Sequence, residues 1–273
     1  MKKAVFRKKT NQYISKLSCK CALLFAAIIF QQDAYSAIDI HFSKFRFVFD
    51  EQFRQDALVL SNNGRNAATC KLSIENFLMS ANGPLKLATE DDVSLNSAEK
   101  LIRLSPRRVT LNAASKQTVR IASRRRPNTI DGEYLSYLKI SCIESLQTES
   151  LKPEQISVDA NFIYYIPVQV RVGQLSASTN IENAKISFDE NRYSVSFSHI
   201  REGDRSVIGE INIIEQKSGE SLGKLANTVI YTPFTERQHT ISLSSKPEGP
   251  VDIIFTEDEV GRGNLAAKIT VQP

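Results

Sequence analysis

The chain has 273 residues, 41% of them hydrophobic, with 35 Lys and Arg against 30 Asp and Glu. Residues 1–36 hold seven of the basic side chains and one acid, so residues 37–273 carry 28 basic and 29 acidic groups and a net charge of −1. That near balance gives no support for nucleic-acid binding, which needs a basic domain with clustered Lys and Arg. The 237 residues after position 36 suffice for two ordinary domains or one large β domain.

The chain opens with Lys2, Lys3, Arg7, Lys8, Lys9, Lys16 and Lys20, followed by the uncharged apolar run Ala22 to Phe30. Ala34 and Ser36 then place small residues ahead of a cleavage point at Ala37, which is the pattern of a secretory signal peptide over residues 1–36. As a helix the apolar run would span about 14 Å, against a hydrocarbon core of roughly 30 Å, so it is too short for a membrane anchor. The expected fate is therefore export into an oxidising compartment. Cys19 and Cys21 fall in this segment and Cys70 and Cys142 remain. In an oxidising compartment two thiols are expected to pair if the fold brings them together, which would add about 4 kcal/mol; two separate buried thiols are the alternative.

From Ile38 onward the sequence reads as strands, short runs rich in Val, Ile, Phe, Tyr and Thr that alternate with polar residues. Ile38 to Phe49 alternates on positions 38, 40 and 42, then on 45, 47 and 49, and the slip predicts a kink that moves the apolar face. Further strands are expected at 57–61, 68–79, 101–104, 117–122, 134–142 and 156–172, with a tight turn at Asn62 to Arg65. Seven strands fit one immunoglobulin-like sandwich. After Val172, shorter strands at 185–188, 193–199, 206–215, 224–229, 238–243, 251–256 and 266–271 indicate a second sandwich. The expected organisation is all-β, with domains at 37–172 and 173–273.

Catalytic chemistry has no positive signal. His41, His199 and His239 lack metal-ligand spacing and read as surface or satisfied-core histidines; Cys-x-x-Cys, His-Glu-x-x-His and Gly-x-Ser-x-Gly do not occur. The chain is expected not to be an enzyme, with no cofactor and no metal. Asp91-Asp92 and Arg124-Arg125-Arg126 read as loop charges, the arginines offering an anionic contact with a secretion pore or membrane surface.

Four stretches carry a family likeness: Phe45-Arg46-Phe47-Val48-Phe49-Asp50; Leu104 to Leu111 with Ser115 to Ile121; Gly132-Glu133-Tyr134; and Tyr164-Tyr165-Ile166-Pro167-Val168. In order and spacing, over about 125 residues, they resemble the PapD-like periplasmic chaperones of the chaperone-usher pathway. The resemblance implies a non-enzymatic chaperone that lends a strand to a pilus subunit or similar β-rich secreted protein and passes it to an outer-membrane usher. The lender would be Ile156 to Ile163, with Ile156, Val158, Ala160 and Phe162 on one face. That same face could instead fill the chaperone's own core, since register is not legible in sequence. Arg46 matches the family's anchor for the client's terminal carboxylate, while the accompanying Lys position falls on Phe162. Arg120 and Glu133 match an interdomain ion pair whose third partner, another Arg, is Ile166 here. A lending strand left idle could self-pair into a capped dimer. Two other readings are a structural pilus component or adhesin built of sandwiches, and an extracellular hydrolase on a β scaffold; the full strand count speaks against the first and the missing site against the second.

Overall fold

The computed structural model describes residues 38–78, 86–89, 96–144 and 161–273. The leader expected over 1–36, the donor positions Ile156, Val158 and Ala160, and Asp91-Asp92 lie outside the described residues.

The first half forms β1 (Ile40–Phe42), β2 (Phe47–Phe49), β3 (Gln55–Asn62), β4 (Ala68–Glu75), β5 (Phe77–Leu78), β6 (Lys86–Leu87), β7 (Ile102–Ser105), β8 (Arg108–Leu111), β9 (Ser115–Ser123), β10 (Gly132–Glu144) and β11 (Asn161–Val172). They build two facing sheets, β1-β3-β9-β7 and β2-β11-β10-β4-β8, with β5 and β6 as a separate small pair. Both large sheets turn their alternate apolar residues inward, so that Leu58, Leu60, Cys70, Leu111, Val119, Ile121, Leu138, Ile140 and Val168 share one core. The kink expected between Phe42 and Phe45 is the point where the chain changes sheets. β1 pairs antiparallel with β3, whereas β2 pairs parallel with β11 on the opposite sheet. A second change of sheet, between β7 and β8, was not legible as a break in pattern. Splitting edge strands between two largely antiparallel sheets is the immunoglobulin-like arrangement.

The expected turn after β3 is organised by Asn62, which is fully buried. Its side-chain oxygen accepts from the Gly64 amide at 3.0 Å, and its amide donates to the carbonyls of Asn66 at 2.7 Å and Leu111 at 3.2 Å. Cys70 and Cys142 lie directly opposite each other on β4 and β10, 4.0 Å apart at Cα, and form a disulfide.

The second half forms β12 (Ala177–Asp189), β13 (Arg192–Gly203), β14 (Val207–Glu215), β15 (Ser221–Ile230), β16 (Glu236–Ser242), β17 (Val251–Glu257) and β18 (Ala266–Val271). Sheets β12-β13-β16 and β15-β14-β17-β18 enclose a separate core around Val195, Phe197, Ile211, Ile213, Val251, Ile253 and Phe255. β12 starts eight residues before the strand expected at 185–188. Its first half carries a single buried apolar residue, Ile181, and a register shift between Glu182 and Lys185 interrupts the alternation. The chain passes from β11 to β12 through Gly173, at φ +83, where a Cβ would meet the Asp131 side chain at 2.3 Å.

His199 and His239 are both buried in this second core, their rings 6.0 Å apart. His199 Nε2 contacts Thr179 Oγ1 at 2.7 Å, but among the described residues the buried Nδ1 has no partner, so the histidine expected to be satisfied is so at one nitrogen only. Burial lowers both to about 4, helped by His239 and Arg237 for His199 and by Arg237 for His239. Both rings are therefore neutral in the folded protein at neutral pH. The unfolded chain, with histidines near 6.5, takes up protons first as pH falls, so stability is full above about pH 6.5 and declines toward pH 4. Urea unfolding should show stability falling between pH 6.5 and 5, at up to about 1.4 kcal/mol per pH unit for each histidine. His239→Leu should make that dependence shallower; an unchanged slope would contradict this assignment.

Candidate functional site

Cross-strand register decides which side chains of β10 and β11 face outward. The pairs are Glu133 with Arg171, Leu135 with Gln169, Tyr137 with Pro167, Lys139 with Tyr165, Ser141 with Ile163 and Ile143 with Asn161. The upper part of this outer face packs on the second sandwich, and the lower part is exposed.

At the top, Glu133 and Arg171 are 3% and 6% exposed. Arg171 Nε donates to Glu133 at 2.9 Å, Nη1 to the Gly261 carbonyl at 2.5 Å and Nη2 to the Ser206 carbonyl at 3.1 Å. Glu133 also accepts from the Ser206 amide at 3.0 Å, from the Ser206 hydroxyl and from the Thr232 hydroxyl at 3.3 Å. A second buried pair, Arg205 with Glu257, lies in the second sandwich, and Glu257 also accepts from the Leu265 amide at 3.0 Å. Charges taken out of water to this degree persist only where they are paired and hydrogen-bonded, as Glu133 and Arg171 are.

This corrects the pairing of Glu133 with Arg120. Arg120 is exposed on β9, between the buried Val119 and Ile121, and so points outward from the sheet opposite to the one that carries Glu133. The sandwich core separates the two. The available signal was Gln169 and Arg171, polar residues alternating on one face of an otherwise apolar strand.

Below the ion pair, Val48 packs with Ile208 and Val229 in a small apolar cluster between the sandwiches, with Tyr231 against it. Arg46, half-buried just before β2, donates from Nη1 to the Tyr231 hydroxyl at 2.6 Å. Burial pushes the hydroxyls of Tyr231 and Tyr137 well above the usual tyrosine range, so both stay protonated. Arg262 lies over the Phe53 ring, 3.7 Å from its centroid. A cleft of about 510 Å³ opens beside these contacts, lined among others by Lys44, Arg46, Val48, Ile208, Asp258 and Arg262. Lys44 is held there by Asp56 at 2.5 Å. Arg125, within the basic triplet, bridges Glu51 at 3.3 Å and Asp131 at 3.2 Å.

β11 pairs with β10 over its whole length, but with β2 only at Val168 to Val170. Among the described residues, its edge from Asn161 to Pro167 therefore has no strand beside it. Phe162, Ile163 and Tyr165 on this stretch are 38%, 45% and 40% exposed. Phe162 lies on the face that continues into the core through Ile166, Val168 and Val170, at its open end. On the outer face, Phe77 meets Tyr137 and Tyr165 edge to face, at 5.0 and 4.9 Å. Among the described residues no three His, Cys, Asp or Glu side chains gather as a metal site would need.

No family model matches the chain and no curated protein matches it. The solved structures to which it is similar include the YadV chaperone, at 13% identity and a TM-score of 0.47, covering 85% of this chain and all of that one. They also include the E. coli chaperone DraB, at 12% identity and a TM-score of 0.46, covering 85% of this chain and 96% of that one. A third is the Salmonella enterica SafA pilin in complex with the SafB chaperone, at 11% identity and a TM-score of 0.43, covering 88% of this chain and 99% of that chain.

The corrected ion pair separates two substitutions. Arg171→Met leaves Glu133 buried without its cation and should cost about 3–5 kcal/mol in urea unfolding, whereas Arg120→Met should stay within about 0.5 kcal/mol. The opposite ranking would restore Arg120 as the partner.

Proposed function

We propose that this protein is a periplasmic chaperone that caps pilus subunits, or similar β-rich secreted proteins, by lending them the open edge of β11. The observation that carries the reading is that unpaired edge, Asn161 to Pro167, with Phe162, Ile163 and Tyr165 exposed along it. An added strand gains main-chain hydrogen bonds from such an edge, and apolar side chains set its register. Arg46, in the cleft, supplies a positive charge suited to a client's terminal carboxylate. Export through the leader at 1–36 and the Cys70–Cys142 disulfide fit an oxidising compartment. The lending strand continues upstream through Ile156, Val158 and Ala160, the loaded chaperone hands its client to an outer-membrane usher, and the idle protein caps itself as a dimer. Glu133 and Arg171 hold the two sandwiches, 37–172 and 173–273, in the orientation that keeps the cleft beside the edge. The role is non-enzymatic.

Purification of the tagged full chain from the periplasm of its native host should bring down a β-rich secreted protein at one-to-one stoichiometry. Phe162→Glu combined with Ile163→Glu, with folding checked by circular dichroism, should weaken capture on the order of tenfold to a hundredfold. Absence of any partner, with the protein recovered in sheared surface fibres, would replace this reading by that of a structural pilus component.

A further inference from the structure

The segment from Glu99 to Arg126 holds nine basic side chains and one acid. Cross-strand register sorts its strand residues between the two sheets of the first sandwich. Arg108 stands on β8, opposite Lys71, in the sheet that meets the second sandwich. Arg103, Lys116 and Arg120 stand on β7 and β9 of the other sheet. On β9 the buried Val119 and Ile121 turn the alternate positions from Lys116 to Ala122 outward, and Arg124 continues that series just past the strand. Arg103 lies opposite Ala122 and Ser105 opposite Arg120, so Arg103 and Arg120 are diagonal neighbours on one exposed face. On β3 the same face shows Gln55, Ala57, Val59 and Ser61. Along β3, β7 and β9 it carries no acid, and at its far edge His41 is held by Asp39 at 3.0 Å. Among the described residues none of Arg103, Lys116, Arg120 and Arg124 has a carboxylate within ion-pairing distance, whereas Arg125 bridges Glu51 and Asp131.

From Lys116 to Arg124 the cations span about 26 Å of extended chain, too far to enclose one small anion. None of the large exposed hydrophobic side chains among the described residues lies on this face. The centre of a protein–protein interface needs such an apolar or aromatic anchor. A flat array of positive charge without one matches the phosphate headgroups of an anionic membrane, whose attraction is spread over the surface and needs no pocket. The rest of the chain makes the attraction one-sided. Residues 37–172 hold 18 basic and 15 acidic side chains, and residues 173–273 hold 10 and 14. An anionic surface therefore attracts the first sandwich and repels the second.

We infer that the outer face of the β1-β3-β9-β7 sheet is a docking surface for an anionic lipid membrane, with Arg103, Lys116, Arg120 and Arg124 set against the phosphate headgroups. The opposite sheet makes the contacts to the second sandwich, so this face points away from it. Docked in this way, the protein keeps the edge of β11 in the far sheet, one sandwich core of about 10 Å from the lipid side. The inference does not depend on strand lending.

Co-sedimentation of the full mature chain with vesicles of phosphatidylglycerol and phosphatidylethanolamine, against vesicles of phosphatidylcholine alone, tests it. At low ionic strength the protein should bind the anionic vesicles at least about tenfold more tightly than the neutral ones, and salt should release it. Each cation near the surface is worth about fivefold, so Arg103→Gln with Arg120→Gln, folding checked by circular dichroism, should weaken binding on the order of tenfold to thirtyfold. Lys71→Gln with Arg108→Gln removes the same charge from the opposite sheet and should change binding by no more than about threefold. No preference for anionic vesicles, or equal losses in the two double variants, would overturn docking through this face and leave strand lending standing. Capture of an acidic protein through these arginines without vesicle binding would overturn it in favour of a protein partner.

Discussion

The buried contact between Glu133 and Arg171 is the constraint from which the rest of the site follows. It joins the ends of β10 and β11 to Ser206, Thr232 and Gly261 of the second sandwich. A buried ion pair adds little net stability over an apolar pair of the same volume, but it tolerates few alternative geometries, because each charge needs its specific donors and acceptors. Here it is one of the contacts through which the two sandwiches meet. The same placement has Arg46 at Tyr231 and Phe53 at Arg262, and among the described residues the lower part of β11 has no strand beside its free edge.

An uncovered edge is a hazard that proteins ordinarily blunt with charge, proline or a bulge. From Asn161 to Ile166 this edge has none of these, the first proline being Pro167, where the pairing with β2 is about to begin. Apolar side chains stand exposed on both sides of the strand, Phe162 on the core side and Ile163 and Tyr165 on the outer side. A strand laid against it would therefore meet exposed apolar side chains on both faces.

The strands and the switch of face after Phe42 were legible because alternation writes burial directly into local sequence. Cys70 and Cys142 were recognisable as a candidate pair from their number and compartment, and Arg46 from its neighbours in the first strand. The partner of Glu133 was not legible in the same way. Choosing Arg171 over Arg120 requires knowing which sheet each strand joins, and period two alone gives a residue's side but not its sheet. Tyr231 was hidden for a different reason, since it is 185 residues from Arg46 and meets it only once the sandwiches are docked. The first half of β12 escaped because its long antiparallel pairing with β13 needs little apolar alternation on its own strand.

Hydrogen–deuterium exchange at β11, compared between the chain alone and the complex recovered from the periplasm, tests the central claim most directly. The account predicts that those amides between Asn161 and Ile166 that do not bond to β10 exchange fast in the free chain and become strongly protected in the complex. Amides already slow in the free chain, or unchanged by a bound partner, would contradict it.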